Sequence, residues 1–310
     1  MPEGENEMNA EERMRRFARR AEAENLPVDA AQIWLEGRLA AEKRWKPDEP
    51  HVIYSQTKSF VCSAIGTAVC EGALSLDDSL ARWFPEYVTS ENEKDMAAVT
   101  LSHLLTMSSG RGEALLMGAQ RRSGGAGKDY LRFVLDHPLK YAPGTFFCYS
   151  NGDTYLAGRM LERAVREPLL NYLKRRILDP LGILCTAWED APEGHFFSAS
   201  GMLLRTSEMG RLGLLYLGGG EWAGRSVLDP SWISKAVSVR QPTGKTNPWD
   251  SHYGYQLWHM DHLPGCYRFD GAGGQYSILN PRRNLLVVTQ CTAESLEPLR
   301  RAIDEELLAD

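Results

Sequence analysis

Ser55 and Lys58 are the first residues in this sequence whose types and spacing could carry out chemistry. Residues three apart on a helix lie on one face, so the Lys58 amine can lie beside the Ser55 hydroxyl. Serine becomes a good nucleophile when a base removes its proton, and burial lowers the pKa of a lysine enough to make it one. A Ser-x-x-Lys spacing also occurs by chance on protein surfaces. Here it begins the long apolar segment 55–74, which predicts a buried helix whose N-terminus favours developing negative charge.

Tyr149 and Asn151 form a second candidate group, two residues apart and just before a predicted helix. Both side chains could project from a loop into one cleft, where the tyrosine relays protons and the amide holds a substrate carbonyl. The alternative is a capped helix start, with Ser150 or Asn151 as the cap. His103 lies in a leucine-rich helical segment, which predicts packing instead of catalysis.

A glycine-rich turn, Gly271-Ala272-Gly273-Gly274-Gln275, is the third candidate. Glycines at the end of a strand allow the backbone to approach a ligand closely. A plain hairpin turn would have the same composition.

Together these segments resemble the serine β-lactamase-related superfamily, and within it the branch of class C β-lactamases, D,D-peptidases and esterases. The resemblance covers about residues 50–295, with the motifs in the family's order. The segments that carry it are 54–60, 72–78, 100–110, 143–151, 198–204 and 254–258.

The resemblance implies a role for each matching residue. Ser55 would attack a carbonyl while Lys58 and Tyr149 share the proton removed from it. The backbone N–H groups of Ser55 and Ala272 would form the oxyanion hole, and Asn151 would position the acyl group. The mechanism needs no metal ion and no cofactor.

The third motif departs from the family pattern, which usually has a lysine or histidine, one residue, and then glycine. If Gly271 is the motif glycine, Phe269 replaces the basic residue and Asp270 follows it. An aspartate there would repel the carboxylate of a β-lactam, so we expect Asp270, Gly271 and Ala272 to bind a different substrate. Lys245 precedes a threonine but no glycine, and is predicted to lie in a loop. The pattern most resembles the 6-aminohexanoate-oligomer hydrolases and esterases.

These features predict a serine hydrolase that cleaves a small-molecule amide or ester through an acyl-enzyme. One alternative is a β-lactamase or D,D-peptidase that acts on β-lactams or D-Ala peptides. Another is a binding or sensing protein that is acylated but does not turn over. A transferase that passes the acyl group to an acceptor other than water has the same residues.

Composition narrows the function classes further. The chain has 310 residues with a net charge of −6 and no extended basic stripe, which argues against nucleic acid as a partner. No segment approaches the roughly 20 apolar residues of a membrane span, and the acidic N-terminus lacks the pattern of a secretory signal. The six scattered cysteines could pair, but without a signal they indicate reduced thiols in a cytoplasmic protein. The oligomeric state stays open.

The order of predicted elements indicates an α+β fold of the β-lactamase/transpeptidase type. A helix at 10–24 and strands at 31–35 and 39–44 precede the apolar helix. Helices dominate the middle of the chain, and strands are predicted at 253–260, 266–269, 275–279 and 285–291. We therefore expect an antiparallel sheet built from both termini (10–75 and 200–310), a helical insertion domain (76–199), and an active site in the cleft between them.

Overall fold

The computed structural model describes residues 3–309 and is built around one eight-stranded antiparallel sheet. The strands, in chain order, are β1 (Val28–Leu35), β2 (Arg38–Arg44), β3 (His51–Val52), β4 (Leu203–Leu204), β5 (Glu221–Trp222), β6 (Arg225–Ser226), β7 (Gln241–Pro242), β8 (His252–Tyr253), β9 (Trp258–His259), β10 (Tyr267–Gly271), β11 (Gln275–Asn280) and β12 (Leu285–Cys291). The large sheet has the order β2-β1-β12-β11-β10-β9-β8-β7, while β3 pairs with β4 and β5 with β6.

Helices cover both faces of this sheet. They are α1 (Glu3–Ala23), α2 (Thr57–Cys70), α3 (Leu80–Trp83), α4 (Glu93–Ala98), α5 (Leu101–Leu105), α6 (Gly118–Arg122), α7 (Tyr130–Leu135), α8 (Asn151–Val165), α9 (Leu169–Leu173), α10 (Thr206–Met209), α11 (Arg211–Leu217), α12 (Pro230–Ser238) and α13 (Glu297–Ala302). The last helix continues as a π-helical segment to Leu308.

The central strand β12 shows why the sheet has helices on both faces. Its residues are buried throughout, as expected for a strand covered on both sides. Side chains alternate between faces, so Leu285 and Val287 pack in the core under α1 and α13. Leu286 and Val288 pack in the larger core that contains α2 and α8.

The sequence predicted the fold class and its first hairpin correctly. Strands β1 and β2 are joined by Glu36 and Gly37, both at positive φ (51° and 78°), the conformation of a tight two-residue hairpin turn. The fold of an antiparallel sheet made from both ends of the chain, with helices between, is confirmed. Between residues 76 and 199, all of which are described, the chain forms α3 to α9 and contributes no strand to the large sheet.

One predicted strand was wrong in detail. Residues 253–260 form two short strands instead of one, because Gln256 has φ of 56° and turns the chain between β8 and β9. Residues 203–217 form β4 and then α10 and α11, which are divided at Gly210. The segment 110–127 contains α6 and the fully buried Leu116.

Helix α2 is buried on nearly every side, as its apolar composition requires. It ends where Gly72 takes φ of 77° and Ala73 N donates to Ala68 O at 2.9 Å. In its middle, Gly66 has no room for a side chain, because a Cβ there would lie 2.2 Å from the Trp232 indole. The helix is thus fixed in position as well as in length.

We expect Gly66→Ala to destabilise the fold by about 1–3 kcal/mol through overpacking against Trp232. Helix propensity alone would give the opposite sign, since alanine is favoured over glycine in a helix interior. Urea unfolding measures the difference. Gly125→Ala is the matched control, since a Cβ there would meet only the flexible Ser123 side chain, the Gln120 side chain and one backbone oxygen, at 3.3 Å or more. Equal stability of the two variants would contradict the expectation.

Two further sequence expectations bear on the molecule as a whole. All six cysteines are free thiols, as expected. Among residues 3–309, no helix combines the length and apolar character needed to cross a bilayer.

Candidate active site

Ser55 lies in a 3₁₀ turn, Tyr54–Gln56, directly before α2. The preceding Tyr54 has φ of 47°, an uncommon conformation for a residue with a side chain. The end of β10 packs against this turn, and a Cβ at Gly271 would lie 2.1 Å from Ile53 O. Only glycine allows this approach, which brings the turn containing Ser55 next to Gly271 and Ala272.

The amine of Lys58 has three polar neighbours. Lys58 Nζ lies 3.0 Å from Ser55 Oγ, 2.7 Å from Asn151 Oδ1 and 2.7 Å from Ala199 O. The side chain is only 1% exposed, so water does not compete for these positions. The helical spacing therefore brings the nucleophile candidate and the amine into direct contact.

The environment of Lys58 disfavours its charged form. Burial lowers the pKa of the ammonium group well below its usual value, and the positive charge of Arg121 lowers it further. The carboxylate of Asp270 opposes the shift. The neutral amine is consequently available at a lower pH than in an exposed lysine.

The Tyr149 phenol lies near the Ser55 hydroxyl, which lowers the pKa of the phenol as a hydrogen-bond partner. Its ring centroid is 5.1 Å from Lys58 Nζ, and the ring stacks on Trp258 at 5.6 Å. Burial raises the pKa of the Tyr149 phenol above its usual value, an effect that the Ser55 hydrogen bond only partly offsets. The phenol is therefore protonated at neutral pH.

Asn151, the first residue of α8, uses both ends of its amide within the protein. Its Oδ1 accepts from Lys58, and its Nδ2 donates to Leu116 O at 3.0 Å. Asn151 is 5% exposed. The structure thus joins Asn151 to the site as a partner of Lys58.

Asp270 belongs to a largely buried cluster of two arginines and two aspartates, whose formal charges balance. Arg268 Nε donates to Asp270 Oδ2 at 2.8 Å, and Arg268 Nη2 donates to Asp250 Oδ1 at 2.6 Å. Arg300 completes the cluster through Asp250 Oδ2 at 2.9 Å. Because Arg268 neutralises it, Asp270 repels a substrate carboxylate less than an isolated aspartate would.

Phe269 points away from this cluster, as strand alternation requires. It packs edge-on against Tyr216, with centroids 5.0 Å apart, and is 1% exposed in the core. Lys245 lies in a loop, as predicted, with Nζ 5.0 Å from the Trp258 ring centroid. The position of the family's basic residue is therefore occupied by a core side chain.

A cavity of about 380 Å³ opens beside Ala272. Its lining includes Val52, Tyr54, Ala272, Gly273 and Ala293 but not Ser55, Lys58 or Tyr149. Among the side chains of residues 9–309, no cluster of His, Cys, Asp and Glu is placed to hold a metal ion.

Sequence reasoning missed three groups that define the site. The carbonyl of Ala199 accepts from Lys58, and the carbonyl of Leu116 accepts from Asn151. Arg121 donates to that same Leu116 carbonyl at 2.6 Å. The family-like segment 198–204 signalled the first of these, but nothing in the local sequence pointed to the other two.

A family profile described as β-lactamase matches residues 14–309. The chain belongs to the β-lactamase family. Solved structures agree on the fold at low sequence identity. A Bacillus anthracis protein provisionally described as a 6-aminohexanoate-dimer hydrolase is 19% identical, with a TM-score of 0.77 over 93% of this chain and 80% of the other. An octameric penicillin-binding protein homologue from Pyrococcus abyssi is 22% identical, with a TM-score of 0.76 over 94% and 75%.

Two curated relatives of this β-lactamase-family chain are esterases by name. Esterase EstB of Burkholderia gladioli is 36% identical over 42% of this chain and 36% of its own length. Lovastatin esterase of Penicillium rubens is 30% identical over 59% of this chain and 50% of its own length. The matches thus span about a third to a half of these relatives.

Proposed function

We propose that this protein is a serine hydrolase that cleaves a small ester or amide through an acyl-enzyme on Ser55. The observation that supports this best is the set of three contacts around Lys58 Nζ. A neutral amine has two N–H donors and one lone pair. The Asn151 and Ala199 oxygens can only accept and use both donors, so the lone pair is directed at the Ser55 hydroxyl.

Proton transfer from Ser55 to Lys58 would accompany attack on the substrate carbonyl. Tyr149 would act chiefly as a proton carrier, because its raised pKa keeps the phenol protonated. It can pass its proton to the leaving group and recover one from Lys58. This sharpens the expectation from the sequence, in which the two residues share the proton without an assigned order.

The oxyanion of the tetrahedral intermediate would be held by the backbone N–H groups of Ser55 and Ala272. The close packing of Gly271 against the turn before α2 supports this pairing. Water would then release the acyl group, with Lys58 or Tyr149 as the base. Loss of one oxyanion donor typically lowers the rate by about 10²–10³.

The substrate class follows from charge. The site lacks a cation at residue 269, where the family usually has one to bind a carboxylate, and Arg268 is fully buried in its ion pairs. The esterase relatives point the same way. We therefore expect short esters to react faster than penicillins and cephalosporins.

Acylation should require the neutral form of Lys58. Since burial and Arg121 depress the pKa of this group, we expect the rate to rise with pH and to level off below the pKa of a free lysine. The pH dependence of kcat/KM for p-nitrophenyl acetate measures this rise, the rising limb of the pH profile. A rate that still climbs at pH 10 would contradict a depressed pKa.

The decisive test is to trap the acyl-enzyme. The protein is incubated with a fluorophosphonate, p-nitrophenyl acetate, a D-amino acid amide and nitrocefin in separate reactions, and adducts are mapped by peptide mass spectrometry. We expect an adduct on Ser55 and turnover fastest with the ester. An acyl adduct from the ester, amide or nitrocefin that persists without turnover would indicate a sensor. An adduct on a residue other than Ser55 would refute the proposal.

A further inference from the structure

Arg121 lies on α6 and binds the Glu189 carboxylate through two of its three guanidinium nitrogens. Arg121 Nε donates to Glu189 Oε1 at 3.0 Å, and Nη2 donates to Oε2 at 3.1 Å. The guanidinium carbon is 4.0 Å from the Phe197 ring centroid. The Arg121 side chain is 12% exposed and the Glu189 side chain is 39% exposed, and the bidentate geometry orients this pair more strictly than a single-contact surface ion pair.

The remaining guanidinium nitrogen of Arg121 contacts Leu116, the residue that holds the Asn151 amide beside the Lys58 amine. Arg121 Nη1 donates to Leu116 O at 2.6 Å, and that oxygen also accepts from Asn151 Nδ2 at 3.0 Å. Leu116 has φ of 56°, a strained conformation that the surroundings must hold in place. Asn151 Oδ1 in turn accepts from Lys58. Arg121 thus fixes the amide that faces the amine.

Glu189 connects the same ion pair to the segment that carries Ala199, the second oxygen acceptor of the Lys58 amine. Glu189 N donates to Gly201 O at 3.3 Å, and a Cβ at Gly201 would lie 2.3 Å from the Glu189 Cβ. The segment ending at Gly201 carries Ala199, whose carbonyl accepts from Lys58. Both oxygens that receive the Lys58 N–H groups are therefore tied, through short paths, to one ion pair.

We propose that Arg121 is a positioning residue for the reaction, and that with Glu189 it clamps the two oxygens that orient the Lys58 amine toward Ser55. The inference rests on the proposed function of Ser55 and Lys58. Arg121 touches neither reacting atom, so it acts through Leu116 and Glu189.

The charge of Arg121 gives this role a signature beyond geometry. Four groups bear on the Lys58 amine from the packed elements: the Arg121 cation lowers its pKa, Asp270 raises it, and Ser55 and Tyr149 are neutral neighbours. Removing the Arg121 charge should raise the pKa of Lys58. The neutral base would then appear only at higher pH.

The test compares Arg121→Gln and Arg121→Lys with the control Arg122→Gln, which removes an exposed arginine from the same helix. The rate of fluorophosphonate labelling at Ser55 is measured from pH 5 to 10. The Lys58 amine is titrated directly by NMR in protein with ¹³C-labelled lysine, its signal assigned by its absence in Lys58→Met.

For Arg121→Gln we expect labelling to fall by roughly 10–100-fold and the rising pH limb to move up by roughly half a pH unit or more. Arg121→Lys keeps the charge but loses the bidentate contact with Glu189. Its labelling rate should therefore fall, while the pH at which that rate rises stays near the wild-type value. Arg122→Gln should match the wild type in both.

Each outcome separates this inference from the proposed function. Normal labelling of Arg121→Gln with an unmoved Lys58 titration would overturn the role of Arg121. Slower labelling of Arg121→Gln with no shift in either its pH dependence or the Lys58 NMR titration would indicate a merely structural role. That result would also overturn the inference. If wild-type Ser55 is never labelled, the proposed function fails, while the NMR titration still decides whether Arg121 sets the pKa of Lys58. If Arg121→Gln does not fold, Glu189→Gln weakens the same clamp and should slow labelling without raising the limb.

Discussion

Ser55→Ala should abolish covalent labelling and lower ester turnover by at least roughly 10³-fold, while the fold is unchanged. The substitution removes one oxygen from a turn whose shape is set by backbone packing against Gly271. The Lys58 amine keeps both of its oxygen acceptors, so its two N–H groups do not lose their partners. Intact-protein mass spectrometry after fluorophosphonate treatment measures the labelling, and steady-state kinetics with p-nitrophenyl acetate measures the turnover.

Ser59→Ala is the matched control. Ser59 lies one helical turn further along the same buried helix, and its hydroxyl donates to Gln256 O at 3.1 Å. Its loss should cost about 1 kcal/mol of stability and leave labelling intact. Label on Ser55→Ala at the wild-type rate would show that another residue is the nucleophile.

The sequence predicted that Ser55 and Lys58 lie together because their relative positions are set by short-range geometry. Ser55 and Lys58 are three residues apart at the start of one helix, so the contact of 3.0 Å follows from helical spacing. Gly271 was singled out as a place where backbone could approach closely, and it packs against Ile53. Each of these inferences needs only a few neighbouring residues.

The remainder of the site depends on contacts between distant segments. Leu116 O and Ala199 O face the site through left-handed turns and packing that no local pattern specifies. The charge of Asp270 appeared free in the sequence, but the structure pairs it with Arg268 on the same strand face. Phe269 occupies the family's basic position in sequence, yet alternation along β10 turns it into the core.

Lys58→Met and Tyr149→Phe should each lower the rate of Ser55 acylation by roughly 10²–10⁴-fold, the usual range for removal of a general acid or base. Methionine has the length of the lysine stem and suits a side chain that is 1% exposed. Phenylalanine keeps the stacking of Tyr149 on Trp258 and removes only the hydroxyl that lies near Ser55. Stopped-flow measurement of p-nitrophenol release gives the acylation rate separately from deacylation.

The double variant carries the sharper test, because Lys58 and Tyr149 are proposed to pass one proton between them. Groups that act as one unit lose most of their effect with the first substitution, so the double variant should be little slower than the worse single variant. Lys58→Met should also flatten the rising pH limb, since the group whose depressed pKa creates it is gone. Tyr149→Phe should keep that limb. Effects that multiply fully, or a limb that survives in Lys58→Met, would mean that the two residues work independently and that another group is the base.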